Sequence, residues 1–340
     1  MKFMSKKEKL QKAIAVSMMM TNIFCTPVWA APVEGTPGAN GAAIVQNDDI
    51  SAGLNATYTA DNGTAGGDAP AGGIGGAGGN GGSVTINDTV TGTIGGAIEI
   101  TATGGDGAVG GIAKTDYTYD GPHGDSGAGG DSKVAVAVTG SGITTVNDIT
   151  VTAKAGSGST VYVYTINQSE GANGDEGGSA AAIGLQAAGS NTLVTITAAD
   201  VTISAEGGNG GFGVSSYSNG GVGGMGGAAE AYGLKAATNS LDLAINDIQV
   251  TASGGKGGKG GNGGDNGNIG DGNAAGVGGK AAVWGIEAVN SDIGGIVNSI
   301  SVAAVGGAGE RGGASSSDGH VGVSSAGGVG MAYAVSSDYS

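Results

Sequence analysis

The sequence predicts an all-β fold: a right-handed parallel β-helix, or solenoid, with long glycine-rich loops at one corner. Three observations predict it. An octapeptide recurs at intervals of roughly fifty residues, the spacing of a repeat architecture. Two short runs of alternating apolar residues follow each copy, and a glycine tract closes each unit. The plain copies are Ala180–Ala187 (AAAIGLQA), Ala229–Ala236 (AEAYGLKA) and Ala281–Ala288 (AAVWGIEA), with a worn fourth at Gly330–Val335 (GMAYAV).

Taken in order, the chain opens with residues 1–12, which carry five lysines against one glutamate, and continues with a mostly apolar stretch over 13–25. Val28, Trp29 and Ala30 then place small residues where a signal peptidase reads, so residues 1–30 are predicted to be a signal peptide cleaved after Ala30. The apolar run is shorter than the roughly 20 residues of a membrane-spanning helix and is interrupted by Ser17, Thr21 and Asn22. Cys25 belongs to the leader, because Phe24 stands where lipoprotein processing expects a small side chain; the mature chain has no cysteine. Removing the leader leaves eight basic and 28 acidic residues, a net charge of −20 against −16 for the whole sequence. Such a surface lacks the lysine and arginine needed to replace counterions on DNA or RNA, which excludes nucleic acid as a partner.

Residues 31–82 are assigned to an N-terminal cap and first glycine tract, and 83–340 to the β-helix repeats. Each unit offers three strand slots. The octapeptide is the first; Leu193–Ile196 and Leu241–Ile245 fill the second. The third is filled by Asp200–Ala205, Asn246–Ala252, Asn147–Ala153, Asn298–Ala303 and, earlier, Ala97–Ala102. Val134–Val138 is a glycine-poor first strand. Alternation assigns faces, since successive side chains on a strand point to opposite sides. It places Ile183 with Leu185, Tyr232 with Leu234 and Trp284 with Ile286 inside, and Gln186, Lys235 and Glu287 outside. In the third slot Val201, Ile203, Ala205, Ile248, Val250 and Ala252 point inward; Thr202, Ser204, Gln249 and Thr251 point outward. Asn147, Asn246 and Asn298 mark the corner before that slot as a ladder of stacked amides, which Ala199 and Asp200 are expected to break.

Glycine supplies 77 of 340 residues without the strict Gly-X-Y period of collagen. The runs from Gly254 to Asp265 and from Gly72 to Gly82 repeat Gly-Gly-X instead. A period of three fits an extended helix of three residues per turn in which glycine permits close lateral packing. The alternative, which the sequence favours, is a loop, because a segment without side chains buries too little to offset its ordering entropy.

Leader and strand repeats together resemble the passenger regions of bacterial autotransporter and filamentous-haemagglutinin-like surface adhesins, which fold as parallel β-helices. The resemblance implies a secreted or cell-surface location associated with the outer membrane. It also implies attachment to host surface, extracellular matrix or other bacterial cells, and self-association. It transfers no catalytic residue. Autotransporters end in an outer-membrane barrel, whereas this chain stops within a repeat, so a fragment or a separate translocation device is expected. The triplet tracts are also similar to mycobacterial glycine-rich surface proteins, without their helical N-terminal module.

For chemistry the mature chain holds one arginine, Arg311, and two loop histidines, His123 and His320. Polysaccharide-cleaving β-helices need clustered carboxylates with a cation on one face, and here Glu287 and Lys235 share one file without a second carboxylate. The sequence therefore predicts no enzyme, no catalytic residue, no metal and no cofactor. Gly264–Gly272 is loosely similar to the calcium-binding glycine-aspartate nonapeptide of toxin repeats but reads as a solvated acidic loop. Thr152, Ser204 and Thr251 form an outward hydroxyl file, interrupted by Ala303, of the kind ice-binding solenoids use. The function expected is an exported adhesin scaffold making multivalent weak contacts through repeated side chains and tips such as Tyr117, Phe212 and Tyr217. The alternatives are a polysaccharide-degrading β-helix and a glycine-rich structural or ice-binding surface protein.

Overall fold

The computed structural model describes residues 34–50, 54–69, 74–90, 96–111, 125–139, 143–159, 171–188, 193–216, 219–238, 240–263, 271–315 and 319–338. The leader with Cys25, and Tyr117, His123, Tyr217 and residues 264–270, lie outside them. The described residues are all-sheet, without helix or closed barrel. In chain order the strands are β1 (Ile44–Gln46), β2 (Leu54–Thr59), β3 (Val84–Val90), β4 (Ile98–Thr103), β5 (Ser132–Thr139), β6 (Ile143–Lys154) and β7 (Ala180–Ala188). Then come β8 (Leu193–Glu206), β9 (Ala229–Ala237), β10 (Ser240–Ser253), β11 (Ala281–Val289), β12 (Asp292–Val305) and β13 (Gly330–Asp338). Odd-numbered strands form one parallel sheet of seven, even-numbered strands a second of six, each in sequence order. The chain thus visits one sheet, then the other, and returns one strand further along. Segment 31–82 contributes β1 and β2 to these same sheets.

The repeats pair with themselves. Ala180, Ala229 and Ala281 stand side by side, as do Leu185, Leu234 and Ile286. In the second sheet Val151, Ile203, Val250 and Val302 form one file. Like positions about 4.8 Å apart stack β-branched and aliphatic side chains into a narrow interior that includes Ile86, Val136, Ile149, Leu185, Ile203, Leu234 and Ile248. Burying each contributes roughly 1.5 to 3 kcal/mol.

Two expectations about the strands are corrected. Each unit has two strands rather than three, because the second and third slots are one continuous strand. The corner between them survives as a slip in the alternation. Val194, Ile196 and Ala198 point inward, Ala199 and Asp200 both point out, and inward pointing resumes at Val201. Asn246 and Asp247 repeat the slip in β10. The amide ladder breaks at β8 as expected, where Ala199 stands between Asn147 and Asn246: the Asn298 amide donates to Asn246 at 3.0 Å, and the Asn246 amide turns aside to the Asp200 carboxylate at 3.0 Å.

The second correction concerns faces in the first sheet. Leu185, Leu234 and Ile286 lie in the main core, but Ile183, Tyr232 and Trp284 pack with Ala135 in a separate cluster. The intervening glycine turns the alternation over. A methyl at Gly233 would stand 2.8 Å from Ile248 Cγ2, and one at Gly285 2.5 Å from Ile300 Cγ2. The second sheet's aliphatic side chains therefore occupy the space above bare backbone, and the preceding side chain faces the other way.

The glycine tracts are not loops. Each unit sends an outgoing segment away from its even strand and an incoming segment back to the next odd strand, and both are hydrogen-bonded with a period of three. In 254–262 the first glycine of each triplet donates to the outgoing segment of the next unit: Gly254 to Val305 O, Gly257 to Ala308 O and Gly260 to Arg311 O. The second glycine donates across to an incoming segment: Gly255 to Gly227 O, Gly258 to Gly224 O and Gly261 to Gly221 O. In two of the three triplets the N–H of residue X is met by a side chain of the preceding unit, Lys256 by Asn209 Oδ1 at 2.9 Å and Asn262 by Ser215 Oγ at 3.0 Å; Lys259 stands beside Phe212, whose side chain has no acceptor. Incoming segments repeat the rule, with Gly78 donating to Asp125 O, Gly129 to Glu176 O and Gly226 to Val277 O. Ordering such a chain costs about 1 to 2 kcal/mol per residue; what offsets it is a bond of about 0.5 to 1.5 kcal/mol from nearly every N–H, made where no side chain separates the backbones.

Candidate functional site

Because two of every three tract residues approach other backbones, only X positions carry chemistry outward, and these fall in files along the stack. One outgoing file runs through Phe212, Lys259 and Arg311, since Gly213 donates to Lys259 O and Gly260 to Arg311 O. Incoming files place Val222 beside Ala274, and Met225 beside Val277, by the same backbone bonds.

The starts of the incoming segments enclose a cleft of about 540 Å³, lined by Asn173, Asn219, Val222, Asp271, Asn273, His320, Val321 and Val323 together with glycine backbone. The stack orients its polar side chains. Asn173 Oδ1 accepts from Val222 N at 2.8 Å, Asn219 Oδ1 from Asp271 N at 3.3 Å, and Asp271 Oδ1 from His320 N at 2.7 Å. Asn273 is used at both ends: its Nδ2 donates to Gly220 O, and its Oδ1 accepts from Ala274 N. His320 thus lies beside Asp271, in the described end of the segment 264–272 that the sequence reads as a solvated acidic loop. The signal that marks the cleft in the sequence is register: Asn219, Asp271 and His320 each stand ten residues before Ala229, Ala281 and Gly330.

On the outer face of the first sheet, Tyr232 stacks on Trp284 at 4.4 Å between centroids and Trp284 on Tyr333 at 5.9 Å. Lys235 Nζ lies 4.2 Å from the Tyr232 ring centre and 2.9 Å from Glu287 Oε2. The two candidates for polysaccharide chemistry are therefore partners of one another. Burial, and then the Glu230 and Glu287 charges, hold the Tyr232 phenol well above its ordinary value.

The second sheet aligns Thr57, Thr101, Thr152, Ser204, Thr251 and Ala303 in one outward file, longer than the sequence suggested. The exposed Lys154–Glu206 pair, at 3.3 Å, borders it.

One carboxylate is buried, and a second, that of the half-buried Asp175, has one buried oxygen. Asp88 is 0% exposed, its Oδ1 accepting from Asp48 N at 2.9 Å while Oδ2 has no partner among the described residues. Burial pushes its carboxyl above the usual aspartate range; the Asp48 charge adds to this and the Asp48 N–H opposes it. Burial likewise raises the Asp175 carboxyl; the hydrogen bond from Ser126 opposes this, and the Asp125 and Glu176 charges add to it. Among the described residues no three His, Cys, Asp or Glu side chains are disposed to hold a metal, and no helix is long and apolar enough to cross a membrane. Compared with protein-family models, curated proteins and solved structures, the chain matches none.

Proposed function

We propose that the chain is an exported surface scaffold, a right-handed parallel β-solenoid of the adhesin-passenger kind, that attaches by many weak contacts along its outward files. The observation carrying this is the registry of the stack. Every unit places its X residues and strand faces beside those of the next, so a weak contact made once is offered again about 4.8 Å further along. Right-handedness is supported by the rule that parallel strands of one sheet are joined by right-handed crossovers. Export rests on the lysine-rich leader and the Val28-Trp29-Ala30 boundary, and the partners are host surface, extracellular matrix or other bacterial cells. Beads coated with residues 31–340 should be retained on matrix- or cell-coated surfaces under flow, with retention rising more steeply than in proportion to coating density. Retention no greater than that of beads coated with an unrelated acidic protein overturns the proposal.

A further inference from the structure

The geometry points to the cleft at the start of the incoming segments as a binding site for a short neutral oligosaccharide. This rests on the attachment function proposed above and names what is attached to.

The stack consumes some of the cleft's polar atoms and leaves others for a ligand. Three of the four cleft Asx side chains spend one oxygen on the N–H of the next unit, Asn173 on Val222, Asn219 on Asp271 and Asp271 on His320, while Asn273 is held at both ends by Gly220 and Ala274. An asparagine oxygen that accepts one bond keeps a second lone pair, and its NH2 adds two donors. The NH2 groups of Asn173 and Asn219, two residues that line the cleft, are donors a ligand can use. Asp271 keeps one carboxylate oxygen as acceptor, and the His320 imidazole adds a group that both donates and accepts. Val222, Val321 and Val323 supply an apolar side. At about 540 Å³ the space lies in the range of ligand clefts, which combine apolar lining with a few fixed polar groups.

This donor-acceptor set discriminates among ligand classes. A calcium ion takes six to eight oxygens, and among the described residues no three His, Cys, Asp or Glu side chains gather to hold one. A phosphate or other polyanion meets the Asp271 carboxylate in a strongly acidic chain. A purely apolar ligand would leave the amides unpaired at a cost of about 1 to 3 kcal/mol each. Sugar hydroxyls both donate and accept, and the C–H faces between them suit the valines.

The test uses substitutions that spare the scaffold. Asn219→Asp and Asn173→Asp retain an Oδ for the next unit's N–H but remove the NH2 donors. Binding of residues 31–340 to soluble neutral di- to tetrasaccharides of glucose, mannose, galactose and N-acetylglucosamine is followed by calorimetry and by saturation-transfer NMR. At least one sugar is expected to bind, and each substitution to weaken it about tenfold or more with the thermal midpoint unchanged. A sugar bound equally well by both variants overturns the site. Beads that attach to surfaces while no sugar in the panel binds up to millimolar concentration overturn the site and leave the attachment function standing. Failure of both bead retention and sugar binding overturns both.

Discussion

Asp88 faces the core from β3 at the position where its neighbour β5 carries Val136. The groups facing it are Asp48 and the Tyr58 phenol, whose own ionisation is made harder by burial and by the Asp88 and Asp48 charges. A carboxyl whose folded-state pKa lies above its unfolded value of about 3.9 is neutral in both states at lower pH. As pH rises past the unfolded value, the unfolded chain ionises first and stability falls, until the folded-state pKa is passed. Asp88→Asn keeps an acceptor for the Asp48 N–H and removes the charge. It should raise the stability of the mature chain at pH 7 by about 1 to 3 kcal/mol, with the gain vanishing below about pH 4. Urea titrations at pH 3.5, 5 and 7 read this directly, and a gain independent of pH would show that charge is not the cause. At this scale the sequence was legible wherever period two holds without interruption, as in the third slot, where Val201, Ile203, Ile248 and Val250 all lie inside. It was not legible at Tyr232 and Trp284, because alternation counts residues and cannot sense that Ile248 and Ile300 fill the space at Gly233 and Gly285.

The glycine segments are the element least readable from composition. A tract without side chains offers no hydrophobic pattern, and loop and lattice share the same sequence until the partners of each N–H are known. Gly-Gly-X then has a steric meaning: two positions have no room for a Cβ and one faces outward. A methyl at Gly227 would run into the carbonyl of Gly178, while Val277, an X residue, is 44% exposed. Gly227→Ala should destabilise by about 1 to 3 kcal/mol, even though alanine lowers the entropy of the unfolded chain by about 0.4 to 1 kcal/mol. Val277→Ala should change stability by less than about 0.5 kcal/mol. Urea midpoints followed by Trp284 fluorescence check both. If the tracts behaved as loops, Gly227→Ala would be neutral or stabilising.

At the scale of the whole molecule, sheets and glycine segments are built by the same step: every unit adds a strand to each sheet and a segment to each row. Ala180 N donates to Ala228 O and Ala229 N to Lys280 O, so the rows enter the first sheet without a change of register. A perturbation in the lattice is therefore felt at Trp284 in the sheet, and the stack should unfold in one transition whose size follows the number of units, as expected for nearest-neighbour repeat architectures. Deleting residues 229–280 joins Ala228 to Ala281 and brings β7 against β11. Gly184 then lies beside Gly285 and Leu185 beside Ile286, matches already made through β9. The shortened chain should fold, keep a single transition by calorimetry and Trp284 fluorescence, and lose about 35 kcal/mol of unfolding enthalpy near 60 °C, at about 0.7 kcal/mol for each residue removed. Two separated transitions, one seen by Trp284 and one by glycine amide exchange, would show that the rows and the sheets are independent bodies.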